Sequence, residues 1–197
     1  MASFLEELRA ENAKAGLFAS NPISISYPLG MPILDEMLGA IYIRTMEDGT
    51  IVRDVQLGVP AGSFTIFSGP TSSGKTTAAI QAASNIIEPF GDRAFVLHAD
   101  GEKSTSPDRI RTINGWTLQQ MEDSYSLEKE FNTWERLLTE IIAIGKRKDA
   151  KGMDSMYNTK HKDLKGNDIW YYVPTVVIVD SLAKFMSEKE AIDTING

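Results

Sequence analysis

Gly69-Pro70-Thr71-Ser72-Ser73-Gly74-Lys75-Thr76 satisfies the pattern G-x-x-x-x-G-K-[ST]. The apolar run Phe64-Thr65-Ile66-Phe67 precedes it, and the helix-forming stretch Thr77-Ala78-Ala79-Ile80-Gln81-Ala82-Ala83 follows. A strand, a tight glycine-rich turn and a helix N-terminus in that order aim a row of backbone N–H groups and the positive end of a helix dipole at one point. The natural occupant of such a loop is a nucleoside triphosphate. Gly69 and Gly74 let the backbone fold around the phosphates, Lys75 is placed for the β- and γ-phosphate oxygens, and the Thr76 hydroxyl is a ligand for Mg²⁺.

The loop has a chain of 197 residues, 42% of them apolar, to support it. A domain of that size hides ~70% of the surface its unfolded chain exposes, so one substantial core is expected. A net charge of -7 and a pI near 4.9 argue against a surface that is basic all over, although a local basic patch is compatible with them. The absence of cysteine excludes disulfides, zinc–thiolate sites and thiol nucleophiles, and is compatible with a reducing cytosol. The segment Met1 to Arg9 is acidic and amphipathic, and no run approaches ~18 consecutive apolar residues. The expectation is a cytoplasmic protein with no membrane partner.

Periodicity then orders the chain. Phe4, Leu5, Leu8, Ala13 and Leu17 recur at helical spacing, with Ser3 and Glu6 placed as a capping box, which predicts a helix to about Ala15. Ile33 to Leu38 reads as a short helix closed by Gly39 as a C-terminal cap. The segments Ile41–Arg44 and Ile51–Val55 flank Asp48-Gly49, a hairpin turn. The core reads as strand Phe64 to Ser68, phosphate loop, helix Thr76 to about Ile87, strand Ala94 to Ala99, and a strand within Val173 to Asp180. These runs are apolar throughout, which suits parallel strands covered by helices on both faces, an open α/β sheet. Between them the stretch Leu127 to Ile144, with Phe131, Trp134, Leu137, Leu138, Ile141 and Ile142, predicts a helix face for burial. Residues 145–170 are rich in lysine and read as a basic insertion, a surface loop or hairpin. Either this segment is a phosphate-contacting arm or it is a solvated excursion.

Hydrolysis needs carboxylates at the same end of the sheet. Asp180 closes the run Thr175 to Val179, where it would hold Mg²⁺ opposite Thr76. Its plainer role is to cap a turn with Ser181. Glu102, in Asp100-Gly101-Glu102, stands just past the other strand, either orienting the attacking water or solvated on a loop. His98, inside an apolar strand, reads as a satisfied core histidine.

Three runs carry a family resemblance: Gly69 to Thr77; Asp100-Gly101-Glu102 with Ser106-Pro107-Asp108-Arg109-Ile110; and Val179-Asp180-Ser181-Leu182-Ala183 with Glu188-Lys189-Glu190. In this order they resemble the RecA/Rad51 recombinase family, including phage recombinases of the UvsX type. Pro28 to Gly39 is similar to the family's entry segment, so the resemblance covers residues 23–197, loosely between Trp116 and Trp170. It implies a RecA-like P-loop NTPase core. Residues 1–40 would be an N-terminal helical segment that either docks on an adjacent subunit or packs on its own core, and residues 41–197 a partial ATPase core.

What the resemblance implies for single residues follows the matched positions. Gly69, Pro70, Thr71, Ser72, Ser73, Gly74, Lys75, Thr76 and Thr77 would hold ATP, Thr76 and Asp180 would hold Mg²⁺, Lys75 and Glu102 would be catalytic, and Arg109 would lie over the adenine. The implied function is a DNA-dependent ATPase acting in homologous recombination and repair, as a homo-oligomeric filament on single-stranded DNA in the cytoplasm, that of the host for a phage-encoded chain. Gly197 falls shortly after the strand of Asp180, so the expectation is a core truncated there, without the later strands or the second DNA-binding loop. Two other readings stand beside this one: a hexameric helicase-like ring or clock-type ATPase on the same core, and a nucleotide-gated interaction module without efficient turnover. A GTPase is disfavoured because Lys160-His161-Lys162-Asp163 does not supply Asn-Lys-x-Asp.

Overall fold

The computed structural model describes residues 25–131 and 133–187. The predicted helix to Ala15 and the run Glu188-Lys189-Glu190 lie outside the described residues. In chain order the elements are β1 (Ser26–Tyr27), α1 (Pro32–Leu38), β2 (Ala40–Thr45), β3 (Ile51–Gln56), β4 (Val59–Pro60), α2 (Lys75–Ile87), β5 (Phe95–Asp100), α3 (Pro107–Asn114), α4 (Leu118–Ser124), β6 (Tyr125–Glu128), α5 (Trp134–Lys151), β7 (Met156–Lys162), β8 (Asp168–Tyr172) and β9 (Thr175–Asp180). Short 3-10 turns occupy Glu88–Arg93, Gly152–Ser155 and Leu182–Lys184.

Three parallel strands, ordered β6-β5-β9, form the central sheet, in agreement with the α/β expectation. Side chains alternate across a strand, so each strand feeds two cores. On one face Val96 and Ile178 pack with Ile80, Ala83 and Ile87 of α2, Ile110 of α3 and Tyr125 of β6. On the other, Leu97 and Ala99 pack with Phe131, Phe185, and Leu137 and Ile144 of α5. Each fully buried aliphatic such as Ile80 or Ile110 contributes about 1.5–3 kcal/mol relative to exposure. A third cluster seats Leu29, Ala82 and Ile86 against Phe67 and Val176.

Two local expectations are corrected. Phe64 to Ser68 forms no strand: β9 pairs with β5 alone, and the run finds no ladder partner among the described residues. Phe64 is 99% exposed and Ile66 74%, and only Phe67 packs. β-branched and aromatic residues favour strands only where a neighbouring strand accepts their backbone and faces. Second, the predicted helix from Leu127 begins at Trp134, because Tyr125–Glu128 joins β5 as a parallel strand and Thr133 caps the helix, accepting from the Arg136 N–H. Phe131 is buried from a loop, with the Arg136 guanidinium 4.8 Å over its ring, while Leu138, Ile141 and Ile142 of the predicted face are exposed. Gly39 closes α1 as its C-terminal cap, its N–H donating to the Glu36 carbonyl at 3.2 Å from an extended backbone (φ -69°, ψ 159°). It is glycine for want of room: a Cβ there would meet the Gln56 carbonyl at 2.8 Å and the Asp35 carbonyl at 2.9 Å.

The Asp48-Gly49 hairpin is present as β2–β3, and the second half of the lysine-rich segment forms a second hairpin, β7–β8. The two meet through polar groups. Arg44 donates from Nε to Asp54 Oδ2 at 2.9 Å, from Nη2 to the same oxygen, and from Nη1 to the Lys162 carbonyl at 2.7 Å. Gln56 Nε2 and His161 Nε2 lie 3.1 Å apart, and the Glu47 N–H donates to the Leu164 carbonyl at 3.0 Å. The other face of β2–β3 carries Ile41, Ile43, Ile51 and Val55, all exposed. The Arg44–Asp54 pair is largely buried, with side-chain exposures of 7% and 13%. Removing one partner strands a buried charge, whereas replacing both by apolar groups does not. Asp54→Ala is expected to lower unfolding free energy by about 3–5 kcal/mol, and an Arg44→Met, Asp54→Leu double variant to recover most of it. Urea unfolding of the unaltered chain and these two variants is the measurement.

Candidate functional site

The phosphate-binding loop turns into α2 at Gly74, whose left-handed backbone (φ 87°, ψ 11°) suits glycine. No side chain caps this helix, so the N–H groups of its first turn face the loop's interior rather than a capping oxygen. An uncapped N-terminus with the dipole behind it is an anion site. Lys75 lies against the loop, its Nζ donating to the Pro70 carbonyl at 2.8 Å.

Alternation along the sheet decides what stands opposite. Val96 and Ile178 face α2, so His98 and Asp100 of β5 and Asp180 of β9 face it too. The strands are in register, with Asp100 opposite Asp180 at their carboxyl ends. The Thr76 hydroxyl donates to Asp180 Oδ2 at 2.7 Å, joining the first turn of α2 to the end of β9. Arg109, on α3, reaches back to this turn and donates from Nη2 to Thr77 Oγ1 at 3.3 Å. Lys75, Thr76, Thr77, Asp180 and Arg109 therefore gather at one rim.

Glu102 is placed differently. It sits on the turn after β5, its N–H donating to the Asp180 carbonyl at 3.3 Å, and its side chain is exposed. The carboxylate beside Asp180 belongs to Asp100, fully buried and accepting from the N–H groups of Thr105 (2.8 Å) and Ser104 (3.4 Å). Sequence reading passed over Asp100, although two parallel strands that each end in aspartate were the available signal. A ring nitrogen of His98 and one carboxylate oxygen each of Asp100 and Asp180 lie within 4.8 Å of one another. His98 is not fully satisfied as expected: Nδ1 pairs with the Tyr125 hydroxyl at 2.8 Å, while Nε2 has no hydrogen-bond partner among the described residues. Burial pushes the His98 imidazole below its usual range against the pull of the charges of Asp100 and Asp180. The same burial, helped by those charges, pushes the Tyr125 phenol upward.

Residues 50–194 match the family described as AAA domain. Shorter segments are similar to RecA proteins. The chain is 38% identical over 74 residues to Protein RecA of Nocardia farcinica, covering 36% of this chain and 20% of that protein. It is 32% identical over 105 residues to Protein RecA of Thermosynechococcus vestitus, covering 52% and 29%. It is 34% identical over 108 residues to Protein RecA of Mycobacterium avium, again 52% and 29%. The matched part thus spans less than a third of the length of these curated relatives. No solved structure matches.

The different settings of the two acidic residues separate them in stability. Asp100→Ala removes the acceptor of two backbone N–H groups, one of them on the buried Thr105, and is expected to cost about 1–3 kcal/mol. Glu102→Ala, on an exposed side chain, should stay within about 0.5 kcal/mol. Urea unfolding without nucleotide checks both.

Proposed function

The chain belongs to the AAA domain family, and on that premise we propose that it binds ATP with Mg²⁺ at residues 69–77 and hydrolyses it as a RecA-like ATPase. The observation that carries this reading is the 2.7 Å contact of Thr76 with Asp180, which brings the phosphate loop and the carboxyl end of the sheet to one point. Gly69 to Thr77 cradle the phosphates with backbone N–H groups, and Lys75 leaves the Pro70 carbonyl to meet phosphate oxygens. The donor set fits magnesium: Thr76 and Asp180 offer two hard oxygens beside an uncapped helix end. Bound there, the ion neutralises charge on the phosphates. Arg109, anchored on Thr77, borders the same rim, and its contact there supports giving it the base.

The carboxylate that orients water comes from the end of β5. Asp100 is favoured by its place opposite Asp180. A second reading gives the role to Glu102, which has the solvent access that Asp100 lacks. A turnover assay separates them. A fall of tenfold or more in Asp100→Asn with little change in Glu102→Gln supports the first, and the reverse supports the second.

The likeness to RecA proteins and the order of the motifs, shared with phage recombinases of the UvsX type, support action in DNA recombination and repair. In this reading residues 41–197 supply the ATPase core, residues 1–40 join subunits into a filament or ring, and single-stranded DNA is the partner. No described helix is long and apolar enough to cross a membrane, which supports a cytoplasmic setting. Titration calorimetry should show Mg²⁺-ATP binding by the unaltered chain and at least a tenfold loss in Lys75→Ala with an unchanged circular dichroism spectrum. Equal affinity in the two chains would sink the site. ATP turnover indifferent to added single-stranded DNA would leave an ATPase without the recombinase role.

A further inference from the structure

Beneath the rim, His98, Asp100 and Asp180 form a group the nucleotide reading does not use as a whole. Each offers a ligand atom, and the three lie within 4.8 Å of one another on the α2 face of the sheet. Asp180 has two oxygens, and Thr76 engages Oδ2. Asp100 keeps lone pairs beyond those that accept from Ser104 and Thr105.

The histidine is the telling member. His98 is completely buried, and its Nε2 has no partner among the described residues, an arrangement a buried polar atom does not normally tolerate. Its Nδ1 is occupied by the Tyr125 hydroxyl at 2.8 Å. In the tautomer whose Nδ1–H donates to the Tyr125 hydroxyl, Nε2 carries the lone pair, which is the usual form of a metal-binding histidine. A core histidine with only a packing role has no need of two carboxylates beside it.

We propose that His98, Asp100 and Asp180 form an inner cation site, distinct from the magnesium position at Thr76, that takes a divalent first-row transition ion such as Mn²⁺. One imidazole and two carboxylates make a mixed nitrogen and oxygen donor set, which suits manganese, iron or zinc better than magnesium with its preference for oxygen alone. Asp180 then has one oxygen toward Thr76 and the other toward the inner ion. The site is complete without nucleotide and does not depend on the ATP reading.

The test uses the full chain free of nucleotide, with Mn²⁺ as the probe. Electron paramagnetic resonance should show one Mn²⁺ bound per chain, and pulsed spectra should show nitrogen modulation from a directly bound imidazole. His98→Leu should abolish the nitrogen signal. Tyr125→Phe, which keeps the ring but frees Nδ1, should weaken binding about 10–100-fold. Should His98→Leu fail to fold, the nitrogen signal of the unaltered chain and the Tyr125→Phe affinity decide. Absence of Mn²⁺ binding without nucleotide, bound Mn²⁺ without nitrogen coupling, or unchanged affinity in Tyr125→Phe would overturn the site. Mn²⁺ binding with the nitrogen signal in a chain that fails to bind ATP would sink the nucleotide reading and leave this one standing.

Discussion

The parallel register of β5 with β9 is the constraint on which the site depends. Asp100 and Asp180 end adjacent strands opposite one another, on the face that α2 covers. A slip of one residue would turn Asp100 toward the apolar cluster of Leu137 and Phe185 and would bring Gly101 level with Asp180. What prevents the slip is apolar. Val96 and Ile178 fill the α2 side while Leu97 and Val177 fill the α5 side, and neither set fits the other's place. The chemistry at the rim is therefore held in place by hydrocarbon two to four residues away.

Around that pair the charges are layered. Lys75 and Arg109 stand at the exposed rim, each resting on a neutral oxygen of the loop or helix, and the carboxylates lie below. An anion arriving from solvent meets the cations and the helix end first, in the region where their attraction is least opposed by the acidic pair. The acidic pair in turn is offset by neutral donors, the backbone N–H groups of Ser104 and Thr105 and the Thr76 hydroxyl.

Much of this was legible in the sequence where the determinants are local. The loop's glycines, the helix after it, the Asp48-Gly49 turn and the aspartate at the end of β9 each declare themselves within about ten residues. Non-local facts were not legible. Phe64 to Ser68 has the composition of a strand, but a strand needs a neighbour, and composition does not say whether one is there. Tyr125 to Glu128 merged with the helical pattern after it because only its pairing with β5 reveals it as a strand. That Asp100 stands level with Asp180 follows only from the pairing of the two strands, and the free ring nitrogen of His98 becomes visible only when its neighbours are known.

The bond from Arg44 to the Lys162 carbonyl joins residues 118 positions apart, one before the phosphate loop and one between α5 and β9. Closing so wide a span costs chain entropy that a single contact does not recover, so the junction forms only after the sheet has drawn its ends together. The two hairpins thus act as a late latch across the finished core. An insertion into either strand that shifts Arg44 or Lys162 would leave the sheet intact and release the flanks.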